Sequence, residues 1–270
     1  DKVMVAEGVY QESLELKAAV EIEGAGPEKT VIECVAEEGS VITVGTEAKG
    51  ARIAGMSLRQ TGILLAEERF PVVAIDGSDV LVEDCQIENG SGHGIAVLNG
   101  SSAVLRNVRV MRCGWDGLAV AGGNSRATVT DSRFEGNIHH GFDAWDCGSV
   151  DVKRSRCRAN GLTGIVLMSS GVKSTVESST SDANRELGIQ VANGAVAELR
   201  GNQLLSNLLG GLLVRDPQTR VTASGNRFMR NFRVGAVVDK RSEILLWERN
   251  VATENEGQQV RMNVDLATMK

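Results

Sequence analysis

The chain has 270 residues, with 31 Gly, 3 Pro and only 3% aromatic residues, too few rings for a large aromatic core. That is the composition of many short aliphatic strands joined by tight turns. The formal charge is −6, with 18 Asp+Glu against 7 Lys+Arg in residues 1–100 and 17 against 22 after them; this is not the basic excess of a nucleic-acid binder, and no apolar run is long enough for a membrane span.

Residues 1–61 suggest irregular opening coils, with period-2 runs between Val3 and Leu58. Residues 62–72 break the phase and are expected to project as a loop. From 73 to 257 the sequence repeats. A glycine followed by alternating apolar residues recurs at Gly94, Gly117, Gly141, Gly164, Gly188, Gly211 and Gly235, with gaps of 23 and 24 residues in alternation. Residues 258–270 follow as a tail, and the whole of 1–270 forms one domain.

An asparagine column runs in phase with the glycines: Asn89, Asn137, Asn160, Asn184, Asn207, Asn231 and Asn255, with Cys113 as the exception. Stacked asparagines can donate to one coil and accept from the next, which satisfies a buried bend. The glycines are expected to supply a backbone conformation that other residues adopt with strain. Three short strands per coil and no helical pattern give an all-β fold: a single-stranded, right-handed parallel β-helix of about ten coils. Neither end shows a cap, so open strand edges point to a larger protein or a dimer.

The five cysteines (Cys34, Cys85, Cys113, Cys147 and Cys157) are odd in number and lack a close pair. They suggest reduced, mostly buried thiols, with no disulfide, metal or cofactor expected. Cys157 falls at the core position occupied by Val110 and Phe134 in neighbouring repeats. Reduced thiols suit a cytoplasmic protein; no signal peptide is recognisable, and a secreted protein whose leader has been removed remains the alternative.

The opening, Val3-Met-Val-Ala-Glu-Gly-Val-Tyr with Ile22-Glu-Gly-Ala-Gly and Thr30-Val-Ile, together with the repeat, resembles the pectin lyase-like superfamily of β-helix proteins over nearly the whole chain. That resemblance implies action on polysaccharides. Gly92-His93-Gly94 matches one polygalacturonase element, but the carboxylate pair of the preceding coils and the later Arg-Ile-Lys are missing, and so is the pectin methylesterase Asp-Phe-Ile-Phe-Gly segment. The run His140-Gly141-Phe142-Asp143-Ala144-Trp145-Asp146 resembles the alginate C5-epimerase motif. Gly141, Phe142, Asp143 and Asp146 match, whereas His140 replaces the catalytic tyrosine and Trp145 the catalytic histidine. His140 is then a candidate proton acceptor and Asp143 its catalytic companion.

In register, His93, Asp116 and His140 precede the glycines of successive coils, about 4.8 Å apart. With Trp115, Asp143, Trp145 and Asp146 they form a candidate sugar site, since a sugar stacks on a ring and is held by polar edges. The alternative is that turn-adjacent His and Asp merely bond across coils. On another strand Arg109, Arg133 and Arg156 align, either as a ladder for a repeating anion or neutralised by Asp131, Glu135 and Asp151. The outward residues of the glycine-led strand are largely apolar, notably Ala96, Leu98, Val166, Met168 and Leu213. They support a second reading, a non-catalytic scaffold that holds a protein partner or a second copy on that face. Polysaccharide binding or processing by a degenerate active site on coils 93–146 is the first.

Overall fold

The computed structural model describes residues 1–62, 70–170 and 173–266. It is a parallel β-helix with three sheets of eleven strands each, every sheet taking one strand from each coil in turn. The first sheet runs from Lys2–Val5 to Glu243–Glu248, the second from Gly8–Gln11 to Val251–Thr253, and the third from Leu14–Leu16 to Gln258–Val264. Eleven strands per sheet make ten full turns. The supposed C-terminal tail therefore contributes a strand, since Gln258–Val264 pairs with Val234–Asp239.

Most of the loop assigned to 62–72 lies outside the described residues. Its last residue, Val72, belongs to the coil instead: its carbonyl accepts from the Val41 amide at 2.9 Å, and its own amide donates to His93 at 3.0 Å. Period-2 alternation then sorts side chains between core and surface. Val110, Phe134 and Cys157 pair in register on successive coils, and all three are buried in the core. All five cysteines are free and buried. Burial pushes the Cys85 and Cys113 thiols up to about 12 and Cys157 higher still.

The asparagine column is a hydrogen-bonded ladder. Asn207 Oδ1 accepts from the Asn184 amide at 3.1 Å and from Asn184 Nδ2 at 3.0 Å. Asn207 Nδ2 donates to the Ser181 carbonyl at 3.0 Å and to Asn231 Oδ1 at 3.1 Å. The same pattern links Asn137, Asn160, Asn231 and Asn255. Asn89 is not a member. It sits one place earlier, at a bend with φ 56° shared by Arg112, Ala159, Ala183, Ser206, Arg230 and Glu254.

The repeat glycines have a different cause from the one expected. Gly94, Gly117 and Gly141 do not have left-handed φ; space forces their identity. A Cβ on Gly117 would lie 2.7 Å from the Gly141 carbonyl oxygen and 2.7 Å from Asn137 Nδ2. The bend between the first two sheets carries a second ladder that its mixed residues conceal. The amides of Ser132, Ser155, Ser179, Asn202 and Asn226 donate in turn to side-chain oxygens of Ser155, Ser179, Asn202, Asn226 and Asn250.

Candidate functional site

The third sheet positions the candidate site. Strands Ile95–Val97, Leu118–Ala121, Phe142–Trp145 and Ile165–Met168 pair in register, which aligns Ala96, Ala119, Asp143 and Val166 outward. Just before these strands, the bend residues His93, Asp116, His140 and Thr163 follow one another along the helix axis. The Asp116 carboxylate accepts the His140 amide at 2.8 Å through Oδ1. The His140 ring accepts the Thr163 amide at Nδ1, 3.1 Å away. His93 Nδ1 lies 3.2 Å from Asp116 Oδ2 and 3.4 Å from the Asp116 amide; one nitrogen cannot serve both, so its tautomer selects the partner.

Two indoles close around this ladder. The Trp115 ring lies 6.2 Å from His93 and 4.0 Å, edge to face, from His139. Trp145 is in register with Ala121 of the preceding coil, yet its ring reaches back to 6.4 Å from His93, a further coil away. His139 thus joins the cluster as well. The signal for it in the sequence is its place immediately before His140 and its register with Trp115, whose carbonyl accepts the His139 amide at 3.3 Å.

Two buried polar atoms, Asp143 Oδ1 and Trp115 Nε1, have no hydrogen-bond partner among the described residues. Burial, reinforced by the neighbouring Asp116 charge, raises the Asp143 carboxyl to about 8, so it carries a proton at neutral pH. Burial lowers the pKa of His140, against the opposing pull of Asp116. The neutral His140 ring, with Nδ1 accepting from Thr163, holds its proton on Nε2. In that state His140 presents a proton donor at Nε2. Asp116, His140 and Asp143 each present a potential metal-ligating atom, all within 4.8 Å of one another. Asp116 Oδ1 and His140 Nδ1 are already engaged by backbone amides, whereas Asp143 Oδ1 has no hydrogen-bond partner among the described residues.

The other candidates lie apart. Asp146 is exposed at a left-handed bend with φ 44° after its strand. Arg109, Arg133 and Arg156 align on the second sheet, a different face of the solenoid. Arg109 pairs with Glu135 at 3.1 Å, as the sequence suggested. Arg156 instead holds Asp182 through two hydrogen bonds of 2.7 Å, while Asp131 pairs with Arg154 at 2.8 Å. Only Arg133 of the three lacks an ionic partner among the described residues, so the ladder is largely neutralised within the protein.

The apolar outward stripe is mostly covered. Ala96 and Ala119 are 0% exposed and Val166 is 1% exposed within the single chain, so Ala96 and Val166 cannot serve as a partner surface. Leu98, Met168 and Leu213 remain partly exposed. No helix among the described residues is long and apolar enough to cross a membrane.

Solved structures similar in fold to this chain include enzymes named as epimerases of mannuronan and alginate and as an alpha-1,3-glucanase. The mannuronan C-5 epimerase AlgE4 A-module of Azotobacter vinelandii superposes with a TM-score of 0.64 at 18% identity, covering 98% of this chain and 89% of that one. A double mutant of the periplasmic alginate epimerase AlgG gives a TM-score of 0.77 at 17% identity over 95% of this chain and 66% of that one. The catalytic domain of a GH87 alpha-1,3-glucanase gives 0.56 at 11% identity over 97% and 61%. At these identities the likeness is one of fold. No curated protein matches the sequence. The sequence profile described as "Right handed beta helix region" matches residues 39–156, 69–204 and 120–265, and with the observed three-sheet solenoid this places the chain in the right-handed parallel β-helix family of the pectin lyase-like superfamily.

Proposed function

We propose that the chain binds a polysaccharide across coils 93–146 and that its active site is degenerate, so binding outweighs turnover. The observation that carries this reading is the pair of partnerless buried polar atoms, Asp143 Oδ1 and Trp115 Nε1, in a patch walled by two indoles. A buried polar group without a partner is costly in a native protein, and sugar hydroxyls offer both donors and acceptors. Trp115 and Trp145 supply faces for the ring, and Asp116, Asp143 and the two histidines supply polar edges. The polysaccharide enzymes among the similar folds support the same substrate class.

Proton transfer by His140 and Asp143 would be limited by their shared donor state at neutral pH. Both hold protons in that state, so neither is a ready acceptor for a proton removed from a sugar carbon. A glycan array tests the reading, with Trp115→Ala and Trp145→Ala beside the unchanged protein. Binding to a defined glycan that both variants lose is the expected result, with little product formed on prolonged incubation. Failure of the unchanged protein to bind any glycan would overturn it.

A further inference from the structure

The candidate site gathers acidic groups with no Lys or Arg at the described outward positions around them. Asp116 is buried beside Asp143, and the described outward positions on the four nearby third-sheet strands carry neither Lys nor Arg. They are Ala96, Ala119, Asp143 and Val166, with Ala121, Trp145 and Met168 two residues further along. On the first two sheets, by contrast, carboxylates such as Glu83, Glu135 and Asp182 are paired with arginines. Here Asp116 meets the His93 ring and the His140 amide rather than a Lys or Arg, and the Trp115 and Trp145 indoles flank His93.

Resting on the polysaccharide reading above, we infer that this site takes the ammonium group of an amino sugar, held between the Asp143 carboxylate and the Trp115 and Trp145 indoles in the field of Asp116. Indole faces attract cations through the ring quadrupole, tryptophan most strongly, and a carboxylate accepts charge-assisted hydrogen bonds from an ammonium. A cation here also removes the reason for Asp143 to stay protonated. Its Oδ1 is buried with no hydrogen-bond partner among the described residues; with an ammonium beside it, the ionised form gains both a counter-charge and a donor. A uronate would place its carboxylate against Asp116 with no cation to mediate. The inferred substrate class thus differs from that named for the similar epimerases.

The test is a tryptophan-fluorescence titration of the unchanged protein with oligomers of glucosamine, N-acetylglucosamine and mannuronate, repeated with Asp143→Asn. The glucosamine oligomer is expected to bind at least about tenfold more tightly than its acetylated counterpart, the effect of one charge-assisted hydrogen bond. Asp143→Asn should remove that preference and bring the affinities of the amino and acetylated oligomers to within about twofold of each other. Equal or tighter binding of the acetylated or mannuronate oligomer would overturn the amine assignment while leaving a polysaccharide site in place. An absence of binding by all three, with none on the glycan array, would remove both. The comparison among ligands uses the unchanged protein, so it stands even if the variant folds poorly.

Discussion

The Asp143 carboxyl should make the protein's stability fall as pH rises, opposite to the usual effect of a salt-bridged aspartate. Its pKa is about 8 in the folded chain and about 3.9 when unfolded. The folded state therefore holds the proton more tightly. The stability this contributes is fully present below about pH 3.9, declines as pH rises, and is gone once the folded group ionises above about pH 8. Each unit of that interval is worth about 1.4 kcal/mol, so about 4 kcal/mol separates pH 5 from pH 8. Asp143→Asn keeps the shape and cannot ionise. Urea unfolding of both proteins, followed by circular dichroism from pH 5 to pH 9, isolates the effect because His140 and the other groups titrate in both. The asparagine variant should gain on the unchanged protein by several kcal/mol across this range. A difference constant to within about 0.5 kcal/mol would refute the buried, protonated carboxyl.

Three further outcomes test the scaffold. Asn207→Ala removes four ladder hydrogen bonds and strands the Asn184 amide and the Ser181 carbonyl. At about 1–3 kcal/mol per orphaned buried group, denaturant unfolding should show a loss of about 3 kcal/mol or more. Gly117→Ala drives a Cβ to 2.7 Å from the Gly141 carbonyl oxygen and should cost about 1–3 kcal/mol. Gly136→Ala separates strain from crowding: nothing lies within 4 Å of its Cβ site, but its φ of 64° is left-handed, so its loss of about 1–2 kcal/mol should be backbone strain alone. Finally, none of the five buried cysteines should react with a thiol reagent in the folded protein at neutral pH, and all five should react in denaturant.

The repeat made register legible. Counting from the glycines aligned Ala96, Ala119, Asp143 and Val166, and these residues do pair coil to coil. The asparagine ladder was legible for the same reason, because one residue type recurs at one phase. Asn89 misled because it stands one place before the ladder position, where its short polar side chain tolerates a positive φ. The serine and asparagine ladder was hidden by its mixed composition: Ser132 and Ser155 look like surface serines until their depth is known. At the candidate site, register brought His93, Asp116 and His140 together but could not orient their side chains. The tautomer of His140 follows from the Thr163 amide, and the proton on Asp143 follows from burial by neighbours. The reach of Trp145 back to His93 depends on a rotamer that spacing does not encode. Burial of Ala96 and Val166 likewise needed the folded surface, since outward direction on a strand does not establish exposure.

The three tryptophans provide a direct test of the account, because they divide between the site and a distant control. Trp115 and Trp145 flank His93, whereas Trp247 stacks on Phe228, with ring centroids 5.6 Å apart, near the C-terminal end of the solenoid. Each indole gives its own N–H signal in a proton–nitrogen correlation spectrum. Titration with a polysaccharide fragment that binds should shift the Trp115 and Trp145 signals together and leave Trp247 in place, with the partnerless Trp115 N–H moving most as it gains an acceptor. Binding that shifts Trp247, or that leaves Trp115 and Trp145 unmoved, would contradict a glycan site on coils 93–146.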